Sequence, residues 1–84
     1  MDTIAIRERV VDFIESNYLF GDSSRMPNDE DSLLESRVLD STGVLELIEF
    51  LESDFDVRVN DADTTPDNLG SVGNIVRFVR GRAA

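Results

Sequence analysis

The sequence predicts an all-α fold: a small antiparallel four-helix bundle with three longer helices, one short helix, and a long loop between helices one and two. Three observations carry this. Three segments repeat their apolar residues at the 3.6-residue period of an amphipathic helix. Each is bounded by capping residues, glycine or proline. The one stretch that alternates like a strand, Val57-Arg58-Val59-Asn60-Asp61, has no second strand to pair with and reads as an extended connector. With 84 residues, the chain is expected to form one domain, 1–84, close to the smallest size that a single core sustains without disulfides or metal.

The first helix is expected from about residue 3 to about residue 19, capped by Thr3. Ile6, Val10, Val11, Phe13 and Ile14 cluster on one side, with Arg7, Glu8, Arg9, Asp12 and Glu15 largely opposite. Leu19-Phe20-Gly21-Asp22 marks its end. The loop up to Ser32 is polar, with Gly21, Pro27, Asn28 and four acids, and loops of this length are often functional or mobile. Leu33, Leu34, Val38 and Leu39 are expected to tie its second half to the core.

The helical signal is strongest after Asp40. Val44, Leu47, Ile48, Leu51 and Phe55 share an arc of about 100° and form a core-facing stripe, with Glu46, Glu49 and Glu52 projecting away. Leu45 and Phe50 fall off the stripe, so at least one of them is expected to be partly exposed or to pack against the loop. Thr64 to Gly70 supplies a cap, a proline suited to the first helical position and a terminating glycine, which fits a helix of one or two turns. Ser71 then caps a last helix whose stripe is Val72, Ile75, Val76 and Val79, flanked by Phe78. Arg77, Arg80 and Arg82 fall in its last turns, where cations complement the helix dipole.

Composition narrows function. Cysteine, histidine, lysine and tryptophan are absent, and all eight basic residues are arginines. The chain therefore has no thiolate metal site, no disulfide and no general base that titrates near neutrality, which argues against autonomous catalysis. A net charge of −10 repels nucleic acid and anionic membrane surfaces and attracts basic protein patches. No apolar run approaches the ~20 residues of a membrane span, and Met1-Asp2-Thr3 begins with an acid where a signal peptide would be basic. The expectation is a cytoplasmic monomer.

Asp-Ser occurs twice, as Asp31-Ser32-Leu33 and Asp40-Ser41-Thr42, and the residues downstream of each pair separate the two. Ser32 leads into Leu33-Leu34-Glu35-Ser36-Arg37, where the pattern breaks off within a turn. Ser41 leads into the apolar stripe, in a segment from Asp40 to Asp56 with six acids and no basic residue. A serine at the start of such a helix is exposed and close to backbone N–H groups without intrahelical acceptors, a good address for a phosphate ester.

Aligned on Ser41, the order Asp-Ser, then Glu46-Leu47, then Phe55 and Asp56-Val57 resembles the acyl carrier proteins. That family binds phosphopantetheine at an Asp-Ser-Leu motif followed by an acidic recognition helix. The resemblance covers essentially the whole chain and leaves Ser32 as loop scaffolding. It implies that Ser41 is modified by a phosphopantetheinyl transferase, with coenzyme A as donor and magnesium in the transferase, and that Asp40 caps the helix and sits near that metal. The arm's thiol would carry acyl groups as thioesters in fatty-acid, polyketide or specialised lipid biosynthesis, and the chain itself would be non-catalytic. Thr42, Leu45, Glu46, Glu49 and Glu52 would dock partners with basic patches: the transferase, an acyl- or aminoacyl-adenylating ligase, and downstream acyl-transfer or synthase enzymes.

The sequence also departs from the fatty-acid carriers. Thr42 stands where leucine is usual, Gly43 where an acid is usual, and Glu49 where an exposed methionine is usual. Glycine in a first helical turn costs up to about 1 kcal/mol relative to alanine, which suggests either close approach of the arm or a partner, or a helix that starts one residue later. The Leu-Asp-Ser-Thr-Gly-Val run is more similar to stand-alone carriers that serve separate adenylating ligases. Two alternatives stay open: an aminoacyl or peptidyl carrier of a nonribosomal-type pathway, and an unmodified acidic helical module that binds a basic partner.

Overall fold

The structure is a computed structural model that describes residues 2–82; Met1 of the N-terminal reading lies outside them. Its helices are α1 (Thr3–Tyr18), α2 (Ser41–Phe55), α3 (Pro66–Leu69) and α4 (Val72–Arg82). There is no strand among the described residues. The fold is the expected all-α bundle of three longer helices and one short one.

Cross-helix contacts define the directions. Phe13 of α1 stacks on Phe50 of α2 with ring centroids 4.3 Å apart. Arg9 pairs with Asp54 at 3.7 Å, and the Tyr18 hydroxyl reaches Glu46 at 2.5 Å. Residues that rise along α1 therefore meet residues that fall along α2, which makes the pair antiparallel. Arg80, near the end of α4, donates to Thr3 Oγ1 at the start of α1 at 2.6 Å, so that pair is antiparallel too.

The core is built from the predicted stripes. Ile6, Val10, Ile14, Leu47, Leu51, Val72, Ile75 and Val79 are fully buried, each stabilising the fold by about 1.5–3 kcal/mol relative to exposure. Val44 and Ile48, expected in the same stripe, are only partly buried, Val44 at a cleft it shares with Leu34. Phe50 packs on α1 instead of the loop, and Leu45 is the exposed residue of the off-stripe pair.

Several boundaries differ from expectation. Asp2, not Thr3, caps α1: its carboxylate accepts the Ala5 N–H at 2.8 Å, and Thr3 is already helical. At the other end of α1, Phe20 and Gly21 both adopt positive φ, and the Gly21 N–H returns to the Glu15 carbonyl at 2.8 Å. Asp56 closes α2 in left-handed conformation. The connector that follows has no helix or strand over residues 57–60, with Val57 buried, but its expected last residue, Asp61, instead opens a 3-10 turn, Asp61–Asp63. Asp63 anchors that turn, accepting from the Asn60 N–H at 3.0 Å and from Arg82 at 2.6 Å. A second short turn, Ser23–Arg25, interrupts the long loop. Pro66 opens α3 at its first position, and the Ser71 hydroxyl caps α4 by accepting the Asn74 N–H at 3.2 Å.

The long loop is pinned to the bundle. Arg7 makes a two-pronged contact with Asp29, both distances 2.8 Å, and Arg77 pairs with Glu30 at 3.2 Å. The Asp29 carbonyl accepts the Gly73 N–H at 2.7 Å. A Cβ at position 73 would stand 3.1 Å from that carbonyl oxygen and 2.6 Å from the Glu30 carboxylate, so any larger residue would have to displace the Glu30 side chain and crowd the Asp29 carbonyl. Leu33 and Leu39 are buried, as expected, and Val38 partly so. Leu34 is instead 51% exposed, at the rim of a shallow cleft shared with Val44, Pro66 and Leu69.

Candidate functional site

Asp40, in extended conformation, is the N-cap of α2, and its Oδ1 accepts the Gly43 N–H at 2.7 Å. The Val44 N–H then donates to the Asp40 carbonyl at 3.0 Å, the first backbone hydrogen bond of the helix. Helix geometry leaves the N–H groups of Ser41 and Thr42 without intrahelical acceptors. Ser41 is the first helical residue and is exposed, and no hydrogen bond engages its hydroxyl among the described residues. Because the aspartate does the capping, the serine oxygen stays available at the positive end of the helix.

Gly43 is buried, and its neighbours explain its presence. A Cβ there would lie 3.1 Å from Leu39 Cδ2, 3.4 Å from Asp40 Oδ1 and 3.4 Å from Tyr18 Cε1. The helix starts at Ser41, before Gly43, so the late-start explanation is set aside. The close approach is internal: Leu39 is the tightest neighbour, with Asp40 and the Tyr18 ring at contact distance beside it.

The exposed side of α2 carries Thr42, Leu45, Glu46, Glu49 and Glu52. Leu45 is 63% exposed and interrupts the acids with an apolar contact point. The three glutamates are not equivalent. Glu46 accepts from the Tyr18 hydroxyl, and Glu52 accepts the Val59 N–H at 3.0 Å and so secures the connector. Glu49 has no hydrogen-bond partner among the described residues and is the acid most available to a partner's cation. Tyr18 was not singled out as a site residue from sequence; the glycine at position 43 was the only signal of its role. Burial, reinforced by the hydrogen bond to Glu46, pushes the phenol well above its ordinary value, so it stays protonated and donating through neutral pH.

Ser32 is placed differently. Its hydroxyl accepts the Glu35 N–H at 3.1 Å, and the Leu33 N–H beside it donates to the Gly70 carbonyl at 2.8 Å. Among the described residues no cluster of acids, histidines or cysteines is arranged to hold a metal, and no helix is long and apolar enough to cross a membrane.

A helical bundle presenting a free serine at the head of an acidic helix is the architecture of a small carrier protein. No family model matches the chain. It is 38% identical over 74 residues to the D-alanyl carrier protein of Streptococcus sanguinis (strain SK36), covering 88% of this chain and 90% of that one. It is 36% identical, over the same shares, to the D-alanyl carrier proteins of Streptococcus thermophilus strains LMD-9 and CNRZ 1066. The chain belongs to the acyl carrier protein family and is a carrier protein.

Proposed function

We infer that the chain carries a small amino acid, D-alanine or a close analogue, on a phosphopantetheine arm esterified to Ser41. The observation that carries the site is the division of labour at Asp40-Ser41, where the carboxylate caps the helix and the hydroxyl is left unbonded. The cargo reading is supported by the similarity, over 88% of the chain, to D-alanyl carrier proteins, and it favours the aminoacyl alternative over fatty-acyl transport. Thr42 and Glu49, at positions where fatty-acid carriers are apolar, point the same way. So does the cleft beside Val44, whose volume of about 100 Å³ is well below the ~300–1,000 Å³ of sites that enclose drug-sized ligands, and favours a cargo that stays outside the bundle.

The residues fit the group. In the attachment step Ser41 Oγ attacks the coenzyme A phosphorus nearest the pantetheine and forms a P–O bond. The pyrophosphate P–O bond breaks, adenosine 3′,5′-bisphosphate leaves, and the serine proton passes to a base on the transferase. The N–H groups of Ser41 and Thr42 lie where they stabilise the resulting phosphodiester. Once attached, the arm supplies a thiol that holds the cargo as a thioester and keeps it at high effective concentration for each partner. Glu49, with Leu45 beside it, offers a docking face to basic patches on the transferase and on an adenylating ligase that would load the amino acid. Dependence on coenzyme A and ATP supports a cytoplasmic setting.

The test is an intact-protein mass measurement after incubation with coenzyme A, magnesium and a broad-specificity phosphopantetheinyl transferase, and then with a D-alanine-activating ligase and ATP. The expected result is a gain of one phosphopantetheine, then of one alanyl group, retained in Ser32→Ala and absent in Ser41→Ala. No gain on the wild type, with a control carrier fully modified, would shift the reading to the unmodified acidic binding module. Loading with a long-chain acid but not alanine would restore the fatty-acyl reading.

A further inference from the structure

Resting on Ser41 as the attachment site, we propose that Tyr18 is a positioning residue for it: the hydroxyl fixes Glu46 on the docking face while the ring braces the first turn of α2 at Gly43. Tyr18 is the last residue of α1, 25 positions from Gly43 and 28 from Glu46, so only the antiparallel packing of α1 on α2 brings it there. Its hydroxyl lies 2.5 Å from Glu46 Oε1 and 3.5 Å from the Gly43 carbonyl oxygen. The ring is itself held, edge-on to Phe13 with centroids 5.9 Å apart, and Phe13 in turn stacks on Phe50 of α2.

This arrangement ties one aromatic ring to two features of the site. Gly43 is the residue whose N–H Asp40 caps, so a ring packed beside Gly43 lies against the same turn that carries Ser41. Glu46 commits one oxygen to Tyr18, and Oε2 has no protein partner among the described residues. A cationic side chain on the transferase or ligase therefore meets a carboxylate already held in one rotamer, and docking loses less side-chain entropy than it would to a free glutamate. The groups facing the phenol, Glu46 and Asp40, are both acidic, and together with burial they keep it in the donating form. The phenol is thus available as a donor to Glu46 at neutral pH.

The test combines a double-mutant cycle with a spectroscopic readout. Initial rates of phosphopantetheinylation are measured for wild type, Tyr18→Phe, Glu46→Gln and the double variant, with melting temperatures alongside. Tyr18→Phe keeps the ring on Gly43 and removes only the hydroxyl. It is expected to raise the transferase KM roughly three- to tenfold with little change in kcat, as does Glu46→Gln, and the double variant is expected to match the larger single effect. Independently of the transferase, the ultraviolet titration of this sole tyrosine is expected to lie above 10 in the wild type and to fall in Glu46→Gln. An unchanged KM in Tyr18→Phe, additive effects in the double variant, or a titration indifferent to Glu46 would each overturn the proposal while leaving Ser41 as the attachment site. A wild type that is not modified at Ser41 overturns both.

Discussion

At Asp31-Ser32 the aspartate turns back, its carboxylate accepting the Asn28 N–H at 3.1 Å, and the serine hydroxyl turns forward to accept the Glu35 N–H at 3.1 Å. At Asp40-Ser41 the aspartate turns forward to the Gly43 N–H, and the serine hydroxyl is left free. One dipeptide thus has two outcomes, decided by whether the aspartate or the serine supplies the forward cap. The downstream residues enforce the choice. Leu33 is 1% exposed and drags Ser32 into a turn against α3, whereas Thr42 is exposed and α2 continues for 15 residues on its own stripe. A serine spent on structure is a poor acceptor for chemistry, and a neighbouring aspartate that takes over the capping is what releases it.

The sharpest way to break this comparison is at the leucines. Leu33→Ala removes a buried side chain from the turn after the first pair and is expected to cost about 2–4 kcal/mol. Leu45→Ala, on the exposed side of α2, is expected to stay within about 0.5 kcal/mol, yet to slow partner reactions. Chemical denaturation of both variants, with modification rates measured under folding conditions, checks the contrast. Equal destabilisation would mean that Leu45 is packed.

Next in size is the cap. Asp40→Ala is expected to cost about 1 kcal/mol and to slow modification of Ser41, because it leaves the Gly43 N–H uncapped and loosens the turn that carries the serine. Asp40→Asn keeps an acceptor and is expected to lie within about 0.5 kcal/mol of the wild type. If its modification is nonetheless slow, the carboxylate charge itself serves the transferase; if it is normal, capping is the whole contribution.

The smallest effect is in acid. The Arg7 guanidinium hydrogen-bonded to Asp29 holds that carboxyl below its ordinary value, so the contact stabilises the folded loop at pH values above the ordinary carboxylate range. That stabilisation is lost as pH falls through the lowered folded-state value. Because both partners are partly exposed, the contribution is modest. Amide protection, taken relative to the intrinsic exchange rate at each pH, is expected to fall below about pH 4 for residues 28–36 before it does in α2, and Asp29→Asn is expected to remove the difference. Simultaneous loosening of both regions would show that the Arg7–Asp29 pair adds nothing to the other ties of the loop.

Much of this was legible in the chain. The stripe of α2, the proline and glycine that bound α3, and the Ser71 cap are local chemistry, written within a few residues of where they act. Asp2 and Thr3 show the edge of that legibility: both residue types cap helices, and one position separates them. Exposure was harder to read. Leu33 and Leu34 are adjacent and alike, but only one points into a core whose shape depends on α3 and α4. The run of acids and the stripe favour Ser41 over Ser32 as the candidate, but only the three-dimensional structure shows that the Ser32 hydroxyl is engaged in a turn while Asp40 caps α2 beside Ser41.

The sequence by itself determined the helices, the acidic face and the candidate serine, because periodicity, caps and charge are short-range properties of a chain. Only the tertiary structure decided which glutamates are free, why position 43 is glycine and how the long loop is held. The contacts Tyr18 to Glu46, Arg7 to Asp29 and Arg77 to Glu30 join residues 28, 22 and 47 positions apart. Such partners are chosen by the packing of α1 on α2 and by the path of the long loop past α1 and α4, which bring together side chains that no local pattern in the sequence relates.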